Sequence, residues 1–294
     1  MISKKDIGLY TVVLGVLLMS FDATLLRIID QTSLAVSFWR GNFIALASLL
    51  MIVFCYLKKI NICWKNDVAS WGNSIMFALS SIFFTLAMKN TSAANTLFIM
   101  ATMPFITVIL TRIFLNKKIE KNTYISFLFI AFGIAIIFLP QITNLSGSGE
   151  IYAFFAAIFM SSGFIFSMYR KSSPLCCTFL GGILSAGFSL PFASSIILSN
   201  QAWIPMLLEG FIVMPIALLC LTIGPKYIPP HHVSILVLGE TVLGPIWVWI
   251  FLKENPGINS LFGGFIIIAT IVFLNYKNKI DEKKYLTKEN TCDI

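Results

Sequence analysis

The chain has 294 residues, 57% hydrophobic and only 12% charged, with a formal charge of +8. Its mean hydropathy of +0.87 lies far above that of soluble globular chains. The basic residues sit at helix ends and in the tail, with no aromatic-interleaved soluble patch, which argues against a nucleic-acid partner and for orientation in a lipid bilayer.

The apolar runs are about as long as helices that cross a ~30 Å hydrocarbon core, and strands would need half that length. The expected fold is therefore an all-α integral membrane protein. Hydropathy predicts ten spans, roughly 8 to 27, 33 to 57, 68 to 88, 92 to 115, 122 to 139, 150 to 169, 175 to 198, 204 to 224, 232 to 252 and 258 to 276. The first follows Lys4 and Lys5 as a signal peptide would. It also carries Asp22 and Arg27 and shows no small-x-small cleavage site, so it reads as a transmembrane helix. Short connections predict that sequential helices pack as antiparallel neighbours.

Lys58, Lys59, Lys65, Lys117, Lys118, Lys121, Arg170, Lys171, Lys226 and the tail lysines fall on one side of this arrangement, against Arg27, Lys89 and Lys253 on the other. The positive-inside rule then puts both termini on the cytoplasmic side of a multi-pass inner-membrane protein. Cys55, Cys63, Cys176, Cys177, Cys220 and Cys292 have no metal-ligand spacing, and no disulfide, metal or cofactor is expected. Motifs for an enzyme (HExxH, GxSxG, a Walker loop) are absent.

The stretch PQITNLSGSG (Pro140 to Gly149) is a polar break near the middle. It divides the chain into a first five-helix half (1–140), a linker (141–149), a second five-helix half (150–276) and a cytoplasmic tail (277–294). Shifting by 137 residues superposes Thr85 on Thr222, Lys89 on Lys226, FLNKK (Phe114 to Lys118) on FLKEN (Phe251 to Asn255), and Met103 on Glu240. The same shift sets Ser126 and Gly133 on Gly263 and Thr270, and a shift of 141 sets Phe38 to Gly41 on Phe179 to Gly182. The nearly constant offset favours an internal duplication. An odd number of helices per copy makes the halves inverted repeats, an architecture common among secondary transporters, with a solute site near the midplane.

With Arg40 early in the second helix, TSAANTLFIMATMPF (Thr91 to Phe105) and Gly133 in the first half, and VSILVLGETVLGP (Val233 to Pro245), LKE (Leu252 to Glu254) and Gly263-Gly264 in the second, the sequence resembles the EamA type of the drug/metabolite transporter superfamily. The resemblance covers nearly the whole chain. It implies ten helices in two five-helix repeats and transport of a small organic metabolite such as an amino acid, with export known among better-described members. The chain departs from the family pattern in three places: Lys117 stands where the first repeat usually has Glu, the pair Gly181 and Gly182 stands opposite Arg40 and Gly41, and Thr241 replaces a Pro after Glu240.

Ionisable groups at membrane depth are functional candidates. Asp22 lies about 7 Å and Arg40 about 10 Å below the outer ends of their helices, at a rise of roughly 1.5 Å per residue. They form either a gate or substrate anchor or, as the plainer account, a fixed ion pair ordering the first hairpin. Glu240, midway along PPHHVSILVLGETVLGPIWVWIFLKE (Pro229 to Glu254), has no obvious partner at its depth, which suits proton coupling or binding of a cationic substrate group. Gly244 and Trp247 follow on the same helical face, as a cavity wall or, for Trp247 and Trp249, part of an aromatic belt. Thr102, Met103 and Thr107 occupy the matching depth in the fourth helix beside Pro104.

Among the other polar residues, Glu209 is expected in the first outer turn of the eighth helix, within reach of water. Asn95 and Arg112 mark the two ends of the fourth helix, with Arg112 reaching the interface. Asn42, Asn73, Ser161 and Ser162 are expected to bond or pack between helices. His231 and His232 point in different directions and are not expected to hold a metal together; one of them is a candidate proton relay. The expected function is a secondary transporter of an amino acid or related metabolite, working by alternating access with proton coupling as an option. The alternative is uptake or exchange of a cationic or nucleoside-derived metabolite, and an embedded enzyme or sensor is the remote third. Direction, coupling ion and oligomeric state are not encoded in any motif.

Overall fold

The structure, a computed structural model, describes residues 4–65, 67–91, 93–115, 121–138, 147–193, 195–253, 262–274 and 276–277. Lys117, Lys118, Glu254, the linker positions 140–146 and the tail from 278 lie outside the described residues. Every regular element among the described residues is helical. In chain order these are α1 (Lys5–Ile28), α2 (Ser33–Leu57), α3 (Val68–Asn90), α4 (Ala93–Met100 and Met103–Leu115), α5 (Lys121–Phe138), α6 (Ser148–Tyr169), α7 (Pro174–Phe192), α8 (Trp203–Lys226), α9 (Pro230–Val237 and Gly239–Leu252) and α10 (Phe262–Leu274). Seven are long and apolar enough to cross a membrane, namely α1, α2, α3, α6, α7, α8 and α9. The apolar stretches of α4, α5 and α10 are shorter helices.

Sequential neighbours are not the main packing partners, which corrects the antiparallel-hairpin expectation. The broadest interface joins α3 to α6, the next α2 to α7, and α1 lies along α8. A short loop fixes only the ends of two helices, whereas the small and apolar faces along their lengths find partners in the other half. One of these contacts brings two backbones together reciprocally. A Cβ at Gly41 would stand 2.6 Å from the Gly182 carbonyl oxygen and the Ala186 nitrogen, and one at Gly182 would stand 2.7 Å from the Gly41 oxygen and the Ala45 nitrogen. Gly41 and Gly182 are the residues that the 141-residue shift superposes. In the same manner Gly133 on α5 meets α10, where its Cβ would lie 3.0 Å from the Gly263 oxygen.

Polar side chains bind these interfaces. Asn73 donates to the Gly163 carbonyl at 3.0 Å and to Ser167 Oγ, Ser80 donates to the Ala156 carbonyl at 3.0 Å, and Ser161 donates to the Met103 carbonyl at 3.3 Å. Asn42 and Ser162 instead bond carbonyls within their own helices, those of Phe38 and Ile158.

Three helices are broken, and each break has a hydroxyl turned back on its own backbone. In α1 the helix stops at Met19 and restarts at Asp22, with Ser20 Oγ donating to the Leu17 carbonyl at 2.7 Å. In α4 it stops at Met100 and restarts at Met103, with Thr102 Oγ1 on the Ile99 carbonyl at 2.7 Å. In α9 it is interrupted at Leu238, whose carbonyl accepts from Thr241 Oγ1 at 2.7 Å. Such local bonds compete with the helical ladder. Ala101 and Leu238 are 137 residues apart, so the α4 and α9 breaks fall on one another under the duplication.

A fourth irregularity is the π-helical stretch Leu208–Val213 in α8. Pro215 follows it within the first turn of the next segment and has no N–H to offer the Phe211 carbonyl, a common cause of a local i→i+5 detour.

Candidate functional site

Arg40 is the centre of a buried ionic cluster. Its Nη2 lies 2.7 Å from Asp22 Oδ2 and its Nε 2.8 Å from Glu209 Oε1, with side-chain exposures of 1%, 0% and 0% for Arg40, Asp22 and Glu209. Nη1 donates to Thr85 Oγ1 at 3.4 Å, and the guanidinium lies 6.0 Å from the Phe84 ring centroid. Helix α2 supplies the guanidinium, the α1 break presents Asp22 at the start of its second segment, and the π-helical stretch of α8 carries Glu209. Asp22 and Arg40 are thus paired, with a third member, Glu209, that sequence reasoning placed in an outer turn.

Glu209 does not sit in a water-accessible outer turn. It is fully buried against Arg40. A usable signal was present in the sequence. Six residues past Trp203, Glu209 lies about 9 Å into its helix, a depth similar to those of Asp22 and Arg40.

Glu240 joins the same electrostatic neighbourhood. It is 2% exposed and lies within electrostatic range of Asp22 and Arg40. No hydrogen-bond partner for its Oε1 occurs among the described residues. Two carboxyls, from α1 and α8, thus pair with one guanidinium from α2, and Glu240 of α9 lies within electrostatic range of them.

Gly244 and Trp247 pack α9 onto the α1 break. Trp247 Nε1 donates to Ser20 Oγ at 2.8 Å, and its ring stacks on Phe21 at 4.2 Å between centroids and 23° between planes. A Cβ at Gly244 would lie 3.3 Å from Leu97 Cδ1. Trp247 is thus a strut that holds Ser20 and Phe21, while Trp249 is 46% exposed.

In α4, Thr102 and Thr107 donate to the carbonyls of Ile99 and Met103 within their own helix. Met103 is 2% exposed and packs in the main apolar core. Arg112 is exposed, whereas Asn95 is buried and donates to Thr91 Oγ1 at 3.3 Å. The His231 and His232 rings meet edge to face at 4.6 Å.

Beside Arg40 lies a small gap with room for about one or two waters. Met19, Met100, Met160 and Met214 line it together with Phe77 and Phe84, and Ser80 and Ser81 contribute hydroxyls. Of the eight residues singled out in the sequence, only Arg40 lines this space. The methionines and phenylalanines gave no signal of their own, since in an apolar chain a cavity wall and a packed core have the same composition.

At one end of the bundle, the segment after α2 is fastened to the α6–α7 connection. Ser173 N donates to the Cys63 carbonyl at 2.7 Å, Lys65 N to Ser172 Oγ at 2.8 Å, and Arg170 Nη2 to the Thr222 carbonyl at 3.0 Å. Asp67 caps α3, accepting from Ser70 N at 3.1 Å and Ser70 Oγ at 2.6 Å. Its slight burial pulls the carboxyl upward, but the Ser70 and Lys171 hydrogen bonds outweigh that and hold it below the usual carboxylate range.

The sequence profile described as the EamA-like transporter family matches residues 6–139 and 147–276. Comparison with curated proteins returns no match. Among solved structures, one described simply as the crystal structure of a protein aligns with a TM-score of 0.74 and 14% identity, covering 90% of this chain and 95% of that one. At that identity the likeness extends to the fold.

Proposed function

The chain belongs to the EamA-like transporter family, and from that premise we propose that it is a secondary transporter of a small organic metabolite, an amino acid or a related compound. It is a multi-pass membrane protein, read here as ten spans in two inverted five-helix halves with both termini on the cytoplasmic side of the inner membrane. The reciprocal seating of Gly41 on Gly182 supports that inverted relation, because each glycine meets the other's backbone in the same way. The matched interruptions of α4 and α9 support it further. Broken helices facing one another between repeats are the usual frame of a midplane solute site.

The observation that carries the reading is the buried cluster of Asp22, Arg40, Glu209 and Glu240. Charges at this depth are costly unless they pair or serve a solute pathway. Asp22, Arg40 and Glu209 are joined by ion pairs, whereas no ion pair of Glu240 occurs among the described residues. In this reading Asp22, Arg40 and Glu209 form the fixed ionic frame, and Glu240 exchanges a proton or a solute group as the two halves rock. Trp247 transmits the position of α9 to the α1 break.

The test is uptake or efflux of a metabolite panel by purified protein in proteoliposomes, with and without an imposed pH gradient. Gradient-dependent movement of at least one amino acid or related metabolite is expected. No movement of any solute above protein-free vesicles would contradict the proposal.

A further inference from the structure

Resting on that transport reading, we propose that the segment before α3 and the connection between α6 and α7 form the inner gate of the transporter. A hydrogen-bonded latch around Ser70 and Ser172 holds this gate shut, and without solute the protein rests closed on the side read as cytoplasmic.

Ser172 is the centre of the latch. Its Oγ donates to the Lys65 carbonyl at 2.6 Å and accepts from Lys65 N at 2.8 Å, while its own N donates to Ser70 Oγ at 3.1 Å. On either side, Ser173 N donates to the Cys63 carbonyl at 2.7 Å and Lys171 N to Asp67 Oδ2 at 3.3 Å. About one turn further into the helices, Ser74 Oγ donates to the Cys177 carbonyl at 3.0 Å. Each of these bonds joins the first half of the chain to the second. Arg170 secures the receiving side, with Nη1 on the Ser172 carbonyl at 2.7 Å and Nη2 on the Thr222 carbonyl of α8 at 3.0 Å.

Inverted repeats call for a counterpart at the outer end, between the α1–α2 connection (29–32) and the α7–α8 connection (193–202). Among the described residues no hydrogen bond joins those two segments, and the nearby tie is Trp39 Nε1 of α2 on the Ile196 carbonyl at 2.7 Å. The side chains differ in the same sense. Ser70, Asn73, Ser74 and Ser80 of α3 all bond the second half. The 137-residue shift sets them on Leu207, Gly210, Phe211 and Ala217 of α8, none of which has a polar side chain. Two related ends with such unequal fastening do not open equally, and the laced end is the one favoured shut.

Behind the latch the seam between the halves is narrow but not filled. A gap with room for about one water is lined by Cys177, Thr178 and Ser185 of α7 and Ser81 of α3. It shares Phe77, Ser81 and Leu218 with the gap beside Arg40. Ser81 Oγ and Ser185 Oγ have no hydrogen-bond partner among the described residues, which suits a surface that meets water once the halves part. The two gaps mark a line from the latch to Arg40 that is too narrow for a solute while the latch is closed.

Cys177, 2% exposed behind the latch, serves as the reporter in a full chain whose other five cysteines are replaced by alanine. Its alkylation by N-ethylmaleimide is followed in inside-out membrane vesicles without added solute, and it should be slow. Ser70→Ala/Ser172→Ala removes three latch bonds. It should speed alkylation roughly tenfold or more, the shift that two or three ordinary hydrogen bonds impose on a closed–open equilibrium. Ser80→Ala, which removes the bond to the Ala156 carbonyl farther along α3, should leave the rate near the parent's. A second variant keeps every latch side chain except through its backbone partners: Lys65→Cys/Lys171→Cys, in a chain without natural cysteines, puts thiols at two exposed positions across the latch. Joining them with a short bis-methanethiosulfonate linker should stop transport in proteoliposomes, and dithiothreitol should restore it.

Fast alkylation in the parent, an unchanged rate in a folded Ser70→Ala/Ser172→Ala protein, equal acceleration by Ser80→Ala, or undiminished transport by the bridged protein would each overturn the gate. If the double alanine variant does not fold, the bridged protein decides. A parent that moves no solute contradicts the transport reading instead, and the alkylation rates still report whether the latch governs access to the seam.

Discussion

Helices α4 and α9 occupy matching places in the two halves and break at matching residues, Ala101 and Leu238, yet they differ one step beyond the break. There α4 places Met103 and α9 places Glu240, each 2% exposed. The Met103 side chain packs in the apolar core while its carbonyl accepts from Ser161. Glu240 instead enters the field of Asp22 and Arg40 with one oxygen unbonded. The duplication supplies the break and the burial, and the acid is an addition that the first half does without. A position that accommodates methionine in one copy has no packing requirement for a carboxylate in the other.

The largest expected effect tests the ionic frame on which this contrast rests. Arg40→Met strands Asp22 and Glu209 in the interior and should cost about 3–5 kcal/mol of stability, read as a lowered melting temperature in detergent. By contrast Glu240→Met, which gives α9 the residue of α4, should leave stability within about 1 kcal/mol or raise it. A collapse of Glu240→Met comparable to that of Arg40→Met would make Glu240 a structural acid and dissolve the comparison.

The next effect concerns the seam between the halves. Gly41→Ala and Gly182→Ala each push a Cβ to within 2.7 Å of the facing backbone, so each should destabilise by about 1–3 kcal/mol. Similar losses are expected from the two variants in chemical unfolding, since each glycine meets the other's backbone at nearly the same distance. A large loss from one and none from the other would break the internal symmetry.

Smaller again is Trp247→Phe, which keeps an aromatic ring on Phe21 but removes the bond to Ser20. About 1 kcal/mol should be lost, together with slower transport, because α9 is then less firmly tied to the α1 break. The smallest effect is at Asp67, outside the site. Asp67→Ala removes the cap of α3 and should cost roughly 0.5–1 kcal/mol at neutral pH. Because the folded carboxyl titrates below its unfolded value, its contribution is present above the unfolded pKa of about 3.9. It is lost as pH falls through the folded value, so the gap between Asp67→Ala and the parent should close below about pH 4.

Much of the helical frame was legible because a helix in lipid must satisfy its backbone internally and match the bilayer in length. The expected spans 33 to 57 and 68 to 88 coincide with α2 and α3 to within two residues. The partnership of Asp22 with Arg40 was legible from depth alone. Glu209 was missed because its nearness to a helix start was read as exposure when its distance along the axis matched that of Arg40. The cross-half packing was missed because loop length constrains only the ends of helices. The gap beside Arg40 could not be read at all, since Met19, Met100, Met160 and Met214 look the same in sequence whether they fill a core or line a space.

The most direct test of the claim that Glu240 serves the solute pathway is gradient-driven accumulation of a transported metabolite by Glu240→Gln protein in proteoliposomes. Its melting temperature is measured in parallel with the parent's. The account predicts an unchanged fold with accumulation abolished. A Glu240→Gln protein that accumulates solute against the same gradient as the parent would contradict it.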